Sequence, residues 1–233
     1  MSYVVDPPLL PALAVVGGGL YPVRRIFCVG RNYAAHAAEM GAEIDREAPW
    51  YFTKSAHALC PSGAAISVPS GTQDCQYEIE FVVALGGASD PDGVGLSPEA
   101  AGDMVYGYAS GIDLTRRDLQ AAAKATRRPW DIGKDFDKAA IIAPITPAGR
   151  FGPVRDQAIW LDHNGAPAQQ GKLSDMVWTV GEIIAHLAGL YCLRQGDLIM
   201  TGTPAGVGPV GKGSRLRGGI DGLAPVCVTF RDD

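Results

Sequence analysis

Two glutamates, Glu78 and Glu80, lie one residue apart in an otherwise apolar run over residues 77–86. The run is rich in β-branched and aromatic residues and ends at a glycine pair, which predicts a strand. Alternate side chains of a strand point to the same face, so we expect the two carboxylates to meet. If they are buried together, they must be protonated, paired with cations or bound to a metal. Oxygen ligands of this kind suit Mg²⁺, Mn²⁺ or Ca²⁺.

An edge strand with both glutamates in solvent is the alternative, because alternating strands with one wet face are common. The apolar residues that continue after Glu80 favour a strand buried on both faces instead. Further ligands and catalytic groups are needed to decide between the two.

A third carboxylate, Asp113, is predicted to lie where an apolar strand ends and a helix begins. Asp is a favoured N-cap at such a position, which would explain it without any chemistry. Arg117 and Gln120 follow four and seven residues later, so all three share one face if the helix starts near Asp113. That face is either a wall for an anionic, metal-bound substrate or a solvated helix surface.

His36 and Glu39 stand three residues apart in an alanine-rich stretch, residues 32–40, which predicts a helix with Asn32 as its N-cap. Residues at that spacing are neighbours on a helix surface. A glutamate can orient the imidazole and stabilise its protonated form, as a general base that activates water requires. An ordinary surface pair is the alternative, but the glycine turn at Gly30 favours an active-site loop.

Two further stretches carry groups suited to an anion. Lys134 lies in an aromatic, turn-rich stretch, where it is either a surface lysine or a cation that balances carboxylates and stabilises an oxyanion. The loop at residues 201–208 offers backbone N–H groups and hydroxyls that suit a carboxylate. It lacks the G-K-[ST] ending of a phosphate-binding P-loop.

Short elements separated by many turns are expected to position these residues. The chain has 30 glycines and 17 prolines among 233 residues, which favours a β-rich fold over a helical bundle. Strands are predicted at residues 26–30, 50–54, 65–68, 77–86, 106–114 and 225–230. Residues 159–165 are predicted to be a strand that runs into a hairpin turn at Asn164-Gly165, and residues 197–204 a strand that runs into a glycine loop. Helices are predicted at 32–40, from 97 with Ser97 as N-cap, at 115–124 and at 176–190. Residues 22–233 are expected to form one domain after an N-terminal extension, residues 1–21.

Composition narrows the classes of function. Hydrophobic residues make up 47% and charged residues 19%, as in globular proteins with a sizeable core. The net charge of -5 argues against a nucleic-acid partner. Five cysteines without a C-x-x-C pair indicate reduced thiols, not a disulfide framework or a zinc site. The sequence shows no export signal and no apolar stretch as long as a membrane span, so we expect no membrane partner and a cytoplasmic location.

Together these stretches resemble the fumarylacetoacetate hydrolase family. The matching motifs are Gly30-Arg31-Asn32-Tyr33 through Glu39, Tyr77-Glu78-Ile79-Glu80, Asp113 through Gln120, Gly133-Lys134 through Phe136, and residues 196–204. They follow the family order and span residues 24–230. Within the family, Arg128-Pro129-Trp130 and residues 115–120 are most similar to the bacterial enzymes that hydrolyse fumarylpyruvate.

The resemblance implies a fold, a metal and a role for each site residue. The implied fold is mixed α+β and β-rich, a mixed sheet rolled towards a barrel with flanking helices, in a homodimer. The implied metal is Mg²⁺, with Mn²⁺ or Ca²⁺ as alternatives. By matching position, the metal ligands are Glu78, Glu80 and Asp113, the water-activating pair is His36 and Glu39, and the residues that hold substrate or stabilise the oxyanion are Arg31, Arg117, Gln120, Lys134 and Thr203. Residues 41–49 correspond to a lid.

The implied activity is metal-dependent hydrolysis of a C–C bond in a 2,4-diketo acid, with fumarylpyruvate split into fumarate and pyruvate. The expected partner is therefore a small dicarboxylic or 2-oxo acid. Decarboxylation or tautomerisation of oxaloacetate or another 2-oxo acid, and hydrolysis of a simple acylpyruvate, are alternatives within the family. Outside it, the alternative is a non-catalytic protein that binds a metal–carboxylate complex. Binding alone does not require the pair formed by His36 and Glu39.

Overall fold

The computed structural model describes residues 3–41, 43–90 and 95–232. In this part of the chain the fold is mixed α+β and rich in strands, as the sequence predicts. The strands are β1 (Ala12–Ala14), β2 (Leu20–Pro22), β3 (Arg25–Gly30), β4 (Trp50–Lys54), β5 (Leu59–Pro61), β6 (Ala64–Ile66), β7 (Cys75–Leu85), β8 (Val105–Arg116), β9 (Ala140–Ile142), β10 (Thr146–Pro147), β11 (Ala158–His163), β12 (Ala166–Lys172), β13 (Asp197–Met200), β14 (Gly208–Pro209), β15 (Arg215–Ile220) and β16 (Val226–Phe230). The helices are α1 (Ala34–Glu39), α2 (Pro98–Gly102), α3 (Arg117–Ala125), α4 (Asp131–Lys134), α5 (Ala148–Phe151) and α6 (Val180–Leu190).

The main sheet has the strand order β4-β3-β13-β7-β8-β9-β5, with β14 and β10 paired to β7 and β8. β7 and β8 are antiparallel along their length, from Cys75 opposite Arg116 to Leu85 opposite Val105. On its other side β7 pairs with β13, which runs parallel to β3. β7 is therefore a central strand, and the alternative of an edge strand is excluded.

Two apolar clusters explain why the β7 run is almost continuously hydrophobic. Ile79, Phe81 and Val83 belong to the larger cluster, to which the second sheet (β12-β11-β15-β16-β6) and α6 also contribute. Val82 and Ala84 belong to a second cluster on the opposite face, with residues of β3 and β13. Because side chains alternate along a strand, Glu78 and Glu80 share the second face with those two residues.

The N-terminal hairpin of β1 and β2 packs onto the second cluster. Leu13 and Tyr21 are buried there. The Tyr21 hydroxyl donates to the Leu85 carbonyl at 2.7 Å, at the end of β7. Among the described helices, none has the length and apolar character of a membrane span.

Several local predictions are confirmed. Asn164 and Gly165 join β11 to β12 with φ angles of 54° and 82°, as a tight hairpin turn with two left-handed residues requires. Ser97 caps α2, since its Oγ accepts the Ala100 N–H at 3.2 Å. The helix predicted at 176–190 begins only at Val180, after a capping box formed by Thr179 and Glu182.

Two local predictions are wrong. Asn32 is not an N-cap, because α1 begins at Ala34 and its N-cap, Tyr33, makes no side-chain hydrogen bond. Asp113 does not stand at the start of a helix, because β8 continues to Arg116 opposite the first residue of β7. Asp113, Arg117 and Gln120 therefore do not share one helix face. Asp113 belongs to the sheet, and the two others belong to α3.

Candidate active site

Three carboxylates converge where β7 pairs with β8. The strand register places Glu78 directly opposite Asp113, and Glu80 follows on the same face of β7. One oxygen from each of the three carboxylates lies within 4.8 Å of the others. Their exposed fractions are 4%, 2% and 0% for Glu78, Glu80 and Asp113, so these are not solvated strand residues.

Two cations contact this cluster from α3 and α4. Lys134 Nζ lies 2.8 Å from Glu78 Oε2, 2.8 Å from Asp113 Oδ2 and 2.6 Å from Thr115 Oγ1. Arg117 donates to Glu78 Oε1 through Nη2, and to Gln120 Oε1 through Nη1 at 2.8 Å. Lys134 is buried, so the alternative of a surface lysine is excluded.

A second buried lysine, Lys54, contacts the cluster from β4. Its Nζ lies 2.7 Å from Asp113 Oδ1, and it also donates to the carbonyls of Leu114 and Lys134. The sequence patterns above do not identify Lys54 as a site residue. The available signal was its place in β4, where Trp50, Phe52 and Lys54 share one face of an otherwise apolar strand.

The two glutamates have different electrostatic surroundings. Burial by itself would raise the pKa of Glu78, but Lys134 and Arg117 outweigh it and hold the pKa below its usual value. Burial and the charges of Asp113 and Glu78 raise the pKa of Glu80 well above its usual value. In the described residues, the hydrogen bond to Glu80 comes from a backbone group, the Gly202 N–H at 2.7 Å from Oε2. Glu80 is therefore the carboxylate that most needs a further cation.

This set of donors fits a divalent metal ion. The three carboxylates offer only oxygen, the ligand type that Mg²⁺, Mn²⁺ and Ca²⁺ prefer. Like charges this close and this well buried cannot all remain ionised without positive charge beside them. Lys134 and Arg117 supply it to Glu78, which leaves Glu80 as the carboxylate whose charge a bound ion would offset.

His36 and Glu39 form the pair that their spacing predicts. His36 Nδ1 lies 3.2 Å from Glu39 Oε2. The Glu39 carboxylate also accepts the Gly206 N–H at 3.1 and 3.2 Å, which holds it beside the imidazole. With Nδ1 engaged, Nε2 is the ring nitrogen left to act on a ligand.

The loop after β13 is tied to the start of α1. Asn32 Nδ2 donates to the Thr201 carbonyl at 2.8 Å, and Asn32 Oδ1 accepts the Trp178 N–H at 2.7 Å. Asn32 is fully buried. It therefore holds together the segment before α1, the loop at Thr201 and the segment at Trp178, and does not cap a helix as predicted.

Thr203, in the same loop, is held by a residue that no sequence motif identifies. Gln169 Nε2 donates to Thr203 Oγ1 at 2.8 Å, while Gln169 Oε1 accepts the Ile79 N–H at 2.9 Å. Gln169 is 1% exposed and comes from β12, in the second sheet. A polar residue on a hairpin strand gives no sign of such a contact, because the contact depends on how the two sheets pack.

A cavity of about 40 Å³ opens onto these groups. Its lining includes the predicted site residues Arg31, His36, Glu78, Glu80, Arg117, Gln120, Lys134 and Thr203. Asp113 is fully buried and is connected to the cavity through Lys134, and Glu39 is connected through His36. Arg31 has a φ of 60°, rare for a residue with a side chain, and its guanidinium lies 5.4 Å from the centre of the Trp50 ring. The structure therefore brings all ten predicted residues together.

The segment predicted as a lid, residues 41–49, contacts Trp178, although Ala42 lies outside the described residues. Trp178 Nε1 donates to the Asp45 carbonyl at 3.1 Å, and the Arg46 guanidinium lies 4.7 Å from the centre of the Trp178 ring. Closure of this segment over a ligand stays a prediction.

Comparison with known proteins identifies the family. The family model described as fumarylacetoacetate (FAA) hydrolase C-terminal matches residues 25–231. The chain belongs to the fumarylacetoacetate hydrolase family. The resemblance given by the five motifs is thereby confirmed, since all of them fall within the matched residues.

Individual family members with similar sequences and structures carry several activities. A fumarylpyruvate hydrolase from Ralstonia sp. is 42% identical over 193 residues, which are 82% of this chain and 97% of that protein. A human mitochondrial oxaloacetate tautomerase is 36% identical over 209 residues, 89% of this chain and 91% of that protein. The crystal structure of fumarylpyruvate hydrolase from Pseudomonas aeruginosa in complex with Mn²⁺ and pyruvate has a TM-score of 0.94 and 41% identity, covering 100% of both chains. The predicted fold class is confirmed by this agreement.

Proposed function

We propose that this protein is a metal-dependent hydrolase that splits fumarylpyruvate, a 2,4-diketo acid, into fumarate and pyruvate. The observation that carries the proposal is the cluster of three buried carboxylates, two of which, Glu78 and Glu80, line one cavity with a histidine held by a glutamate. The similarity to fumarylpyruvate hydrolases supports the choice of substrate. The Pseudomonas enzyme was crystallised with pyruvate, one of the two expected products.

Glu78, Glu80 and Asp113 are the residues proposed to hold the metal. Mg²⁺ is the proposed ion, and the Mn²⁺ in the Pseudomonas enzyme supports a divalent ion of this class. When bound, the ion supplies positive charge that withdraws electron density from the 2-oxo acid end of the substrate. Lys54 and Lys134 keep Asp113 oriented through contacts of 2.7 and 2.8 Å.

His36 is the proposed base that activates water. Its Nε2 accepts a proton as the water oxygen attacks the carbonyl carbon of the acyl group. Glu39 holds Nδ1 and stabilises the imidazolium that results, and the Gly206 N–H keeps Glu39 in place. Cleavage leaves the bonding electron pair on the pyruvate carbon, which then takes a proton, so that one water is consumed.

Arg117, Gln120 and Lys134 are proposed to stabilise the oxyanion formed by that attack. They converge on one cavity, and their orientation is set before a ligand arrives, because Arg117 bonds to both Glu78 and Gln120. Positive charge on Lys134 is favoured, since Asp113 and Glu78 outweigh burial and raise its pKa. Thr203 and Arg31 are proposed to bind substrate carboxylates.

Oxaloacetate tautomerisation is the second candidate function, because a relative with that activity is 36% identical. Tautomerisation needs proton transfer but no attack by water. The base held by Glu39 is compatible with both reactions, so the two functions are distinguished by which substrate the protein converts.

The test is depletion of fumarylpyruvate, oxaloacetate and acetylpyruvate by the purified protein, with EDTA and then with added Mg²⁺ or Mn²⁺. We expect fumarate and pyruvate from fumarylpyruvate, loss of turnover with EDTA and recovery with metal. Faster tautomerisation of oxaloacetate than hydrolysis of either acylpyruvate would assign the second function. Binding of 2-oxo acids without turnover of any of them would make the protein a metal–carboxylate binder.

The proposed assembly is a homodimer, with residues 22–233 as the catalytic domain and residues 1–21 as an extension. Leu190, the last residue of α6, is 60% exposed and Tyr191, which follows it, is 42% exposed, which supports an apolar surface covered by a partner. Light scattering coupled to gel filtration measures the mass of the assembly directly.

A cytoplasmic location is supported by the five free cysteines.

A further inference from the structure

A second, larger cavity of about 700 Å³ continues outward from the first. Four residues, Arg31, Phe52, Lys124 and Trp130, line both cavities, so the two are contiguous. The inner cavity holds the groups assigned to the metal, the base and the oxyanion. The outer cavity is the space left for the acyl end of a substrate.

Two cations stand at the junction without carboxylate partners. Lys124 Nζ lies 4.8 Å from the centre of the Trp130 ring, and the Arg31 guanidinium lies 5.4 Å from that of Trp50. The two tryptophan rings are themselves 5.4 Å apart. Neither cation forms an ion pair within the described residues, whereas Lys54, Lys134 and Arg117 each bond to Glu78 or Asp113. An anion that enters the outer cavity therefore meets unmatched positive charge.

The position of Lys124 along α3 matches the length of a dicarboxylic acyl group. Arg117, Gln120 and Lys124 follow one another at spacings of three and four residues, so they share one helix face. One helical turn separates Gln120 from Lys124, roughly 5.4 Å. In a trans-butenedioyl chain three C–C bonds separate the carbonyl carbons, roughly 4 Å by analogy with Cα atoms across a trans peptide. A carbonyl held at Gln120 therefore places the distal carboxylate at Lys124.

We propose that Lys124 is a specificity-determining residue that binds the distal carboxylate of a dicarboxylic acylpyruvate and selects it over acylpyruvates without one. This rests on the proposed function and adds the subsite that recognises the acyl group. Trp130 and Trp50 form flat walls against which the conjugated chain lies, and Arg31 adds a second positive charge. The pKa of Lys124 supports the need for an anion, since burial, Arg117 and Arg31 lower it.

The test compares kcat/KM for fumarylpyruvate, which carries the distal carboxylate, with kcat/KM for acetylpyruvate, which lacks it. In Lys124→Met we expect the ratio of the two values to fall about 100-fold, mostly through KM for fumarylpyruvate. Lys124→Arg restores the charge and should recover most of the ratio. Lys212→Met removes one exposed lysine elsewhere and should leave the ratio unchanged. Equal losses on both substrates in Lys124→Met would assign Lys124 a structural role and overturn the proposal.

A binding measurement separates this proposal from the proposed function. Fumarate and crotonate differ only in that crotonate has a methyl group in place of the second carboxylate. Calorimetry on the metal-loaded protein should show fumarate binding at least about tenfold more tightly than crotonate, and Lys124→Met should abolish the difference. If wild-type protein hydrolyses no fumarylpyruvate but keeps this preference, only the function fails. If it hydrolyses fumarylpyruvate but Lys124→Met keeps the preference, the subsite assignment fails.

Discussion

Glu78 and Glu80 are the same residue type and lie two positions apart on one strand, and yet their hydrogen-bond partners and the directions of their pKa shifts differ. Glu78 bonds to both Lys134 and Arg117, whereas Glu80 accepts a backbone N–H and faces two other carboxylates. The pKa of Glu78 is lowered and the pKa of Glu80 is raised for these reasons. Glu78 therefore stays ionised to a lower pH than Glu80, and Glu80 is the carboxylate proposed to exchange its proton for a metal ion.

Metal affinity should consequently rise with pH, because an ion must displace the proton that Glu80 holds. In the metal-free protein the raised pKa means that the folded state binds more protons than the unfolded state, so its stability falls as pH rises between the two pKa values. The stability that a bound metal adds should instead increase as pH rises, because metal binds more tightly once Glu80 has lost its proton. Mn²⁺ titrations from about pH 5 to about pH 8, in buffers of different ionisation enthalpy, should show tighter binding at high pH and about one proton released at low pH. Affinity independent of pH would contradict this assignment.

His36→Ala should lose hydrolysis while keeping the metal. His36 is bonded to Glu39 and is not among the three residues whose carboxylates are proposed to hold the metal, so removal of the imidazole takes away the base and leaves the metal ligands. Loss of a general base lowers kcat by about 10²- to 10⁴-fold. His57→Ala, at an exposed histidine of a 3₁₀ turn, is the matched control. Turnover of His36→Ala within about threefold of wild type would remove His36 from its proposed role.

At the level of elements, the sequence predicts eight of the sixteen described strands but not how the strands pair. The alternation of Glu78 and Glu80 predicts their common face, which follows from one strand alone. Asp113 reaches Glu78 through the antiparallel register of β7 and β8, and Lys54 and Gln169 reach the site from β4 and β12. No local pattern specifies such contacts, because they depend on sheet order and packing. The family motifs include Asp113 and so predicted it as a metal ligand. Lys54, Gln169 and Lys124 lie outside the motifs, so the resemblance predicted no role for them.

Gly202→Ala tests how the loop after β13 supports the metal site. Gly202 has a φ of 98°, and a Cβ there would lie 2.8 Å from Asn32 Cβ. Its N–H donates to Glu80, so the strained loop should shift that ligand. We expect the free energy of unfolding to fall by about 1–3 kcal/mol and metal affinity to fall about tenfold. Chemical denaturation and metal titration measure the two effects.

Gly63→Ala is the control for strain alone, since Gly63 has a φ of 90° and nothing lies within 4 Å of the added Cβ. It should lower stability by about 1–2 kcal/mol and leave metal affinity unchanged. If Gly202→Ala behaves in the same way, the hydrogen bond from the loop does not position Glu80.

For the molecule as a whole, the charges of the inner site balance when all three carboxylates are ionised, whereas a proton on Glu80 leaves one positive charge in excess. Glu78, Glu80 and Asp113 face Lys54, Lys134 and Arg117. A divalent ion adds two positive charges, and the carboxylate at the 2-oxo acid end of the substrate offsets one of them, while the distal carboxylate is proposed to meet Lys124. The buried carboxylates are repelled by one another in the folded state only, because the unfolded chain separates them. An ion at this site should therefore stabilise the fold.

A divalent ion should raise the melting temperature through the three carboxylates and not through surface charge. At a free metal concentration of about 100 Kd the gain is about 2.7 kcal/mol, which corresponds to a rise of roughly 5–10 °C for a chain of this size. Glu80→Gln should remove most of the rise without unfolding the protein, since Gln resembles the protonated carboxyl that the raised pKa of Glu80 favours. Glu99→Gln, at an exposed residue of α2, should keep the full rise. Differential scanning fluorimetry with Mg²⁺, Mn²⁺ and Ca²⁺ at matched ionic strength measures each shift, and an equal rise in wild type and Glu80→Gln would place the ion elsewhere.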